Sequence, residues 1–180
     1  MRIKTYRKDS HAYTFDSKNN IFDIIDNRLS ARDLGSTVIL PYICANDKFI
    51  EHGFNGLIAQ KYPIVKENFL MLPKTGSLGK TQFVKIKQNK DYGHSLIAAA
   101  MVCQTSRSYY NRKINYAALC YCMTTVKNKI IDMKNNSEIS NIEIHCPKFG
   151  IGSSGGDWNF ISSFIEDLWS NINTFVYTGK

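Results

Sequence analysis

Two apolar runs, STVILPYICAN at residues 36–46 and SLIAAAMVC at residues 95–103, constrain this chain more than any other feature. A strand with one face in water alternates apolar and polar side chains, whereas these runs continue almost without a polar break. The first is β-branched on both sides of Pro41. Strands of that kind are buried on both faces, so helices must cover both sides of the sheet that holds them.

The rest of the chain supplies those helices. From Ile114 to Met133, the residues Leu119, Cys122, Met123, Val126, Ile130 and Met133 recur at helical spacing. Ile161, Phe164, Ile165, Leu168, Trp169 and Ile172 trace one face of a last helix. HGFNGLIAQKYP (52–63) places glycines before a short helix that Pro63 stops. TQFVKIK (81–87) alternates as a half-exposed strand, and NIEIHC (141–146) and TFVYT (174–178) read as further strands. IFDII (21–25) is expected as a first core strand, with a short helix as the alternative. Residues 1–20, basic through Arg2, Lys4, Arg7 and Lys8, are expected as a strand or hairpin packed on a domain of residues 21–180. Strands alternating with long helices imply βαβ crossovers. The expected fold is a three-layer α/β/α sandwich around a mixed, largely parallel sheet of about six or seven strands.

A length of 180 residues suffices for one core, and the net charge of +8 with pI near 9.2 attracts polyanions: nucleic acid or a pyrophosphate-bearing small molecule. A Lys-, Asn- and Ile-rich composition explains the same charge without a ligand. The five cysteines lie mostly in apolar runs and form no C-x-x-C pair, which reads as buried, reduced thiols with no metal. Lacking a leader-like or membrane-spanning apolar stretch, the chain is expected to be a soluble cytoplasmic monomer, or a nuclear one, with no membrane association and no cofactor.

The segment GIGSSGG (150–156) stands between the NIEIHC strand and the start of the last helix. Glycines let the backbone come close to a ligand, and unpaired N–H groups at a helix start favour an anion, for which a pyrophosphate is suited. In parallel α/β sheets ligands collect beyond the carboxyl ends of the strands, where this loop and the Asn46–Gly56 loop both begin. The plainer reading is a tight turn with Asp157 as an ordinary helix cap, and for Asp157 the cap is the expected role.

PKFGIGSSGGDW resembles the macro-domain signature P-R-I-G-x-G-x-x-G-x-x-W, and CANDKFIEHGFNGLIAQKYP resembles that family's earlier loop. SLGKTQFVKIK and MVCQTSRSYYNRKINYAAL are similar to the stretch between the two loops in the branch of poly(ADP-ribose)-regulated chromatin remodellers. The likeness covers residues 36–178. It implies a macro domain that binds ADP-ribose or a derivative, whether free, protein-linked or at a polymer end. It also implies that Gly150, Ile151, Gly152, Ser153, Ser154, Gly155 and Gly156 hold the phosphates and ribose. Asn46, Gly53, Asn55 and Gly56 would face them, and Asp26 would contact adenine, with Asp9 after Lys8 as its rival.

Where such domains cleave ADP-ribose derivatives, they typically use an Asp in the later loop and some a Lys on the preceding central strand. Here those places hold Ser154 and, approximately, Gln104. A hydrolase of ADP-ribosylated protein or ADP-ribose 1″-phosphate would then rely on Asn46 and Asp47, with His52, His145 and Asp157 as other acid–base candidates. A binding module is the leading expectation. The last alternative is a nucleic-acid binder using the basic N-terminal segment, Tyr109, Tyr110 and the Arg112–Lys113 pair.

Overall fold

In the computed structural model, which describes residues 2–6, 13–16, 20–31, 35–73, 76–89, 91–109, 112–136 and 141–178, the first departure from expectation is IFDII. It is not a strand but the start of helix α1 (Ile21–Leu29). Asn20 accepts from the N–H groups of Phe22 and Asp23, and the Asp23 carboxylate accepts from Asn20 N–H, a reciprocal cap that fixes the helix start. The buried set Ile21, Phe22, Ile25 and Leu29 continues beyond the pentapeptide at helical spacing, which five residues alone could not reveal.

The remaining elements run β1 (Arg2–Tyr6), β2 (Tyr13–Asp16), then after α1, β3 (Ser36–Ala45), α2 (Gly53–Lys61), α3 (Ile64–Leu70), β4 (Thr81–Asn89) and β5 (His94–Tyr109). They continue with β6 (Arg112–Ile114), α4 (Tyr116–Asn136), β7 (Asn141–Pro147), α5 (Trp158–Trp169) and β8 (Asn173–Thr178). Eight strands form one sheet in the order β2-β1-β8-β7-β3-β5-β4, with β6 hydrogen-bonded to β5. The centre β8-β7-β3-β5 is parallel, and antiparallel strands close both sides. The β1–β2 hairpin adds two strands to the six, β3 to β8, that lie within residues 21–178.

Every residue of β3 is buried, as its unbroken apolar run requires. The pleat divides them: Ile39 and Ile43, with Ala99, Met101 and Cys103 of β5, pack against α4 and α5. Val38, Leu40, Tyr42 and Cys44, with Leu96, Ala98, Ala100 and Val102, pack against α1, α2 and α3. On α4 the buried face is Ala118, Leu119, Cys122, Met123, Val126 and Ile130, close to the expected stripe. Trp169 of α5 is fully buried in the same layer, its indole N–H donating to Met123 O at 3.0 Å. Truncating it to Ala would cost about 3–5 kcal/mol. Among the described residues, no helix is long and apolar enough to cross a membrane.

Candidate functional site

The cleft arises where two parallel strands part. β3 pairs with β7 from Ser36–Asn141 only as far as Ile39–Ile144, yet stays paired with β5 through Ala45. Pro41, which has no N–H to offer a ladder, falls just where β3 has left β7. Beyond that point lies a cleft of about 150 Å³, walled by Tyr42 and Ile43 from β3 and by Pro147, Lys148 and Phe149 from the end of β7. Drug-sized ligands occupy roughly 300–1,000 Å³, so a nucleotide-sized molecule would fill this space and extend through its mouth.

One rim is the loop after β7, in which the glycines serve different ends. A Cβ on Gly150 (φ +80°) would lie 2.6 Å from Ile161 Cδ1 and 2.7 Å from Ile114 Cδ1. One on Gly156 would run into the Gly150 carbonyl, to which Gly156 N–H donates at 2.8 Å. These two close the loop onto the core. Gly152 (φ +66°) instead faces open space and begins a 3₁₀ turn, Gly152–Ser154, that Gly155 ends in the left-handed conformation. Ile151, Ser153 and Ser154 of this stretch line the cleft.

The opposite rim is the start of α2. Its N-cap, His52, makes no side-chain cap bond, and no acidic residue occupies the first turn. Gly53 (φ +61°) faces open space, and His52, Gly53, Phe54 and Asn55 all line the cleft. Free N–H groups and the positive end of the helix dipole therefore point where an anion would be stabilised. Phe54 is held by stacking on Phe22 (centroids 5.6 Å apart, planes 9° apart), which presents an aromatic surface beside those donors.

Between the rims, Ser154 Oγ donates to Gln104 Oε1 at 2.9 Å, both residues being buried. Gln104 is placed by an irregularity in β5: Cys44 pairs with Val102, but Ala45 pairs with Gln104, leaving Cys103 as an extra residue. Among the described residues no carboxylate lines the cleft, whereas Lys148 does, its Nζ 5.0 Å over the Trp158 ring. A wall with amide donors, one ammonium and no acid is electrostatically suited to a phosphate-bearing ligand. Among the described residues no group of three His, Cys, Asp or Glu could hold a metal.

This architecture coincides with known structures. It superposes on a Bacteroides thetaiotaomicron protein of unknown function with TM-score 0.63, at 23% identity over 81% of this chain and 88% of that one. It superposes on the macrodomain of Mycobacterium tuberculosis DarG with TM-score 0.58, at 14% identity over 91% of this chain and 96% of that one. The fold is that of macrodomains. Thermosipho africanus DarTG in complex with ADP-ribose gives TM-score 0.58 at 12% identity, over 78% of this chain and 38% of that one. No protein-family model and no curated protein matches the sequence. These likenesses reach the macrodomain fold and do not extend to the chromatin-remodeller branch.

Within this macrodomain fold the expected residues separate. Gly53, Asn55, Gly150, Ile151, Ser153 and Ser154 come together around the cleft. Asn46 and Asp47 do not: they line a separate depression of about 30 Å³ with Phe69, Leu72 and Ser77. The chain turns away after Ala45, tied by Asn46 N–H to Gln104 O at 2.9 Å, and returns to the cleft only at Ile50. Gly56 is required by packing, since a Cβ there would lie 2.6 Å from Glu51 O. Asp26 follows no strand; it sits in α1 and pairs with Lys61 at 2.7 Å and Lys87 at 3.7 Å. Asp157 caps α5 by accepting from Asn159 N–H at 2.8 Å. Asp9, Tyr110 and the side chain of Tyr109 lie outside what the structure describes.

His145 lies off the cleft wall, its ring stacked at 4.6 Å on Phe175, its neighbour across to β8. Burial holds the ring below the usual histidine range, so the neutral form accepts at Nδ1 from Tyr177 Oη and donates through Nε2 to Glu143 at 3.2 Å. Burial alone would push the Glu143 carboxyl up, but His145, Arg28 (3.3 Å) and Asn141 together bring it to about 2. Four of the five thiols are buried, as expected, and burial pushes Cys122 up to about 11 despite its hydrogen bonds. Tyr42, Ile50, Phe54, Lys148 and Phe149 complete the cleft without having been singled out. Phe54, Lys148 and Phe149 stand beside the glycines in sequence, whereas Tyr42 and Ile50 carry no such signal.

Proposed function

We propose that this protein binds ADP-ribose or an ADP-ribose derivative, free, protein-linked or at the end of a polymer. The observation that carries the reading is the pairing of the uncapped start of α2 with the Ile151–Ser154 turn across a cleft that, among the described residues, no carboxylate lines. A diphosphate bridges two such rims. Phe54 offers apolar area to a base, and Ser154 and Gln104 offer polar contacts to a sugar. The Thermosipho DarTG complex, which holds ADP-ribose in a protein with a similar fold, supports the same ligand here.

Binding rather than cleavage is the function proposed. The Ser154 and Gln104 side chains are neutral and hydrogen-bonded to each other, and neither is a base for activating water. Asn46 and Asp47 lie in the neighbouring depression. Isothermal titration calorimetry with ADP-ribose tests the reading: a saturable, one-to-one isotherm is expected. Absence of heat at millimolar ligand would contradict it.

A further inference from the structure

His52, one of the acid–base candidates in the sequence, stands at the rim assigned above to phosphate and takes no part in holding its own helix. It is the exposed N-cap of α2, its side chain makes no cap bond, and it lines the cleft beside Gly53, whose Cβ position is open. Asn20 and Asp157, the N-caps of α1 and α5, both accept from helix N–H groups. A histidine in that position leaves the first N–H groups of α2 to a ligand and adds an imidazole beside them.

The charged groups on the elements packed around the start of α2 are engaged elsewhere. Glu51, the preceding residue, pairs with Lys66 of α3 at 2.7 Å, and Asp26 of α1 pairs with Lys61 at the other end of α2, also at 2.7 Å. Asp23 of α1 accepts from Asn20 N–H at 3.4 Å, Arg28 pairs with Glu143 at 3.3 Å, and Glu67 of α3 is exposed to solvent. Asp47 and Lys48 line the separate depression. From β3 come Tyr42 and Cys44, both neutral because burial pushes them up. Lys148, at the end of β7, is the charged side chain that lines the same cleft.

An imidazole changes its charge between about pH 5 and 8. The positive end of α2 opposes a second positive charge there, and a diphosphate on the same donors reverses that opposition, because a nearby anion favours the protonated ring. Resting on the reading of ADP-ribose binding above, we infer that His52 contacts the ligand's diphosphate and takes up a proton as the ligand binds. Binding and protonation then favour each other, so affinity for ADP-ribose rises as pH falls.

Calorimetry on the full chain with ADP-ribose, between about pH 6 and 8.5 and in pairs of buffers of different ionisation enthalpy, tests this. Affinity should rise about five- to tenfold toward the acid end, and the heat should differ between paired buffers as uptake of up to about one proton requires. His52→Gln, which keeps a donor but does not titrate in this range, should bind with an affinity independent of pH and a heat independent of buffer. Affinity that does not change with pH in the unmodified chain would overturn the inference while leaving the ADP-ribose reading intact. A pH dependence that persists in His52→Gln would assign the proton to another group and overturn it equally. If ADP-ribose does not bind at any pH, the ADP-ribose reading falls, and the inference falls with it.

Discussion

In the loop after β7, Gly150 and Gly156 are demanded by the core, because a side chain at either would strike Ile161 or the loop's own backbone, while Gly152 faces open space. In the loop after β3 the division recurs on a longer path: Gly56 is pressed against Glu51 O and Gly53 is open. Each loop thus combines a glycine that packing requires with a glycine whose Cβ position faces open space. The loops differ in how tightly they return. The later one is tied by Gly155 N–H to Gly152 O, by Gly156 N–H to Gly150 O, and by Asp157 N–H to the Tyr116 hydroxyl. The earlier one departs through Asn46 and Asp47, and only its second half reaches the cleft. A glycine cluster therefore locates a site reliably when short backbone bonds close the loop, and less so when polar residues at its start can face another way.

The comparison is broken most severely at the anchors. Gly150→Val places methyl groups among Ile161 and Ile114 at φ +80°, and it should destabilise the domain by about 3 kcal/mol or more in urea unfolding. Gly152→Glu keeps the positive-φ strain but meets no neighbour, so its cost should be near 1 kcal/mol. Its carboxylate at the anion rim should nevertheless reduce ADP-ribose affinity by about a hundredfold in calorimetry. Equal stability losses at Gly150 and Gly152 would erase the distinction between anchor and open glycine.

A smaller effect belongs to pH. His145, Arg28 and Asn141 hold the Glu143 carboxyl down at about 2 against 4.5 for the free side chain, and burial holds His145 below its ordinary 6.5. Both groups take up protons more readily when unfolded, so each contributes stability that is lost on acidification. Loss should begin below pH 6.5 through His145 and continue from 4.5 toward 2 through Glu143. Thermal melts across that range, compared with His145→Gln, should show the first part of the slope flatten in the variant. The smallest effect is expected of Asn46→Ala and Asp47→Ala, which should change ADP-ribose affinity by less than about twofold. A loss above tenfold in either would return the early half of the loop to the site.

Much of the molecule was legible in the sequence because its signals were long. The unbroken runs of β3 and β5 announced a sheet buried on both faces, and the stripes of α4 and α5 announced what covers one of them. IFDII was misread because five apolar-rich residues fit either period, and the deciding information lay outside them, in the Asn20–Asp23 cap and Leu29. At the site, the glycines were legible through their spacing. The partnership of Ser154 with Gln104, 50 residues apart, depends on an extra residue in β5 that no local pattern reveals. Asp26 was misplaced for the same reason as IFDII, since its assignment rested on a strand that is a helix.

The central claim is that the ligand's diphosphate lies between the start of α2 and the Ile151–Ser154 turn, and a crystal structure with ADP-ribose tests it most directly. The account predicts phosphate oxygens within hydrogen-bonding distance of backbone N–H groups on both rims, and a terminal ribose against Ser154 and Gln104. ADP-ribose bound in the Asn46–Ser77 depression, or bound with its phosphates in solvent and only its base enclosed, would contradict it.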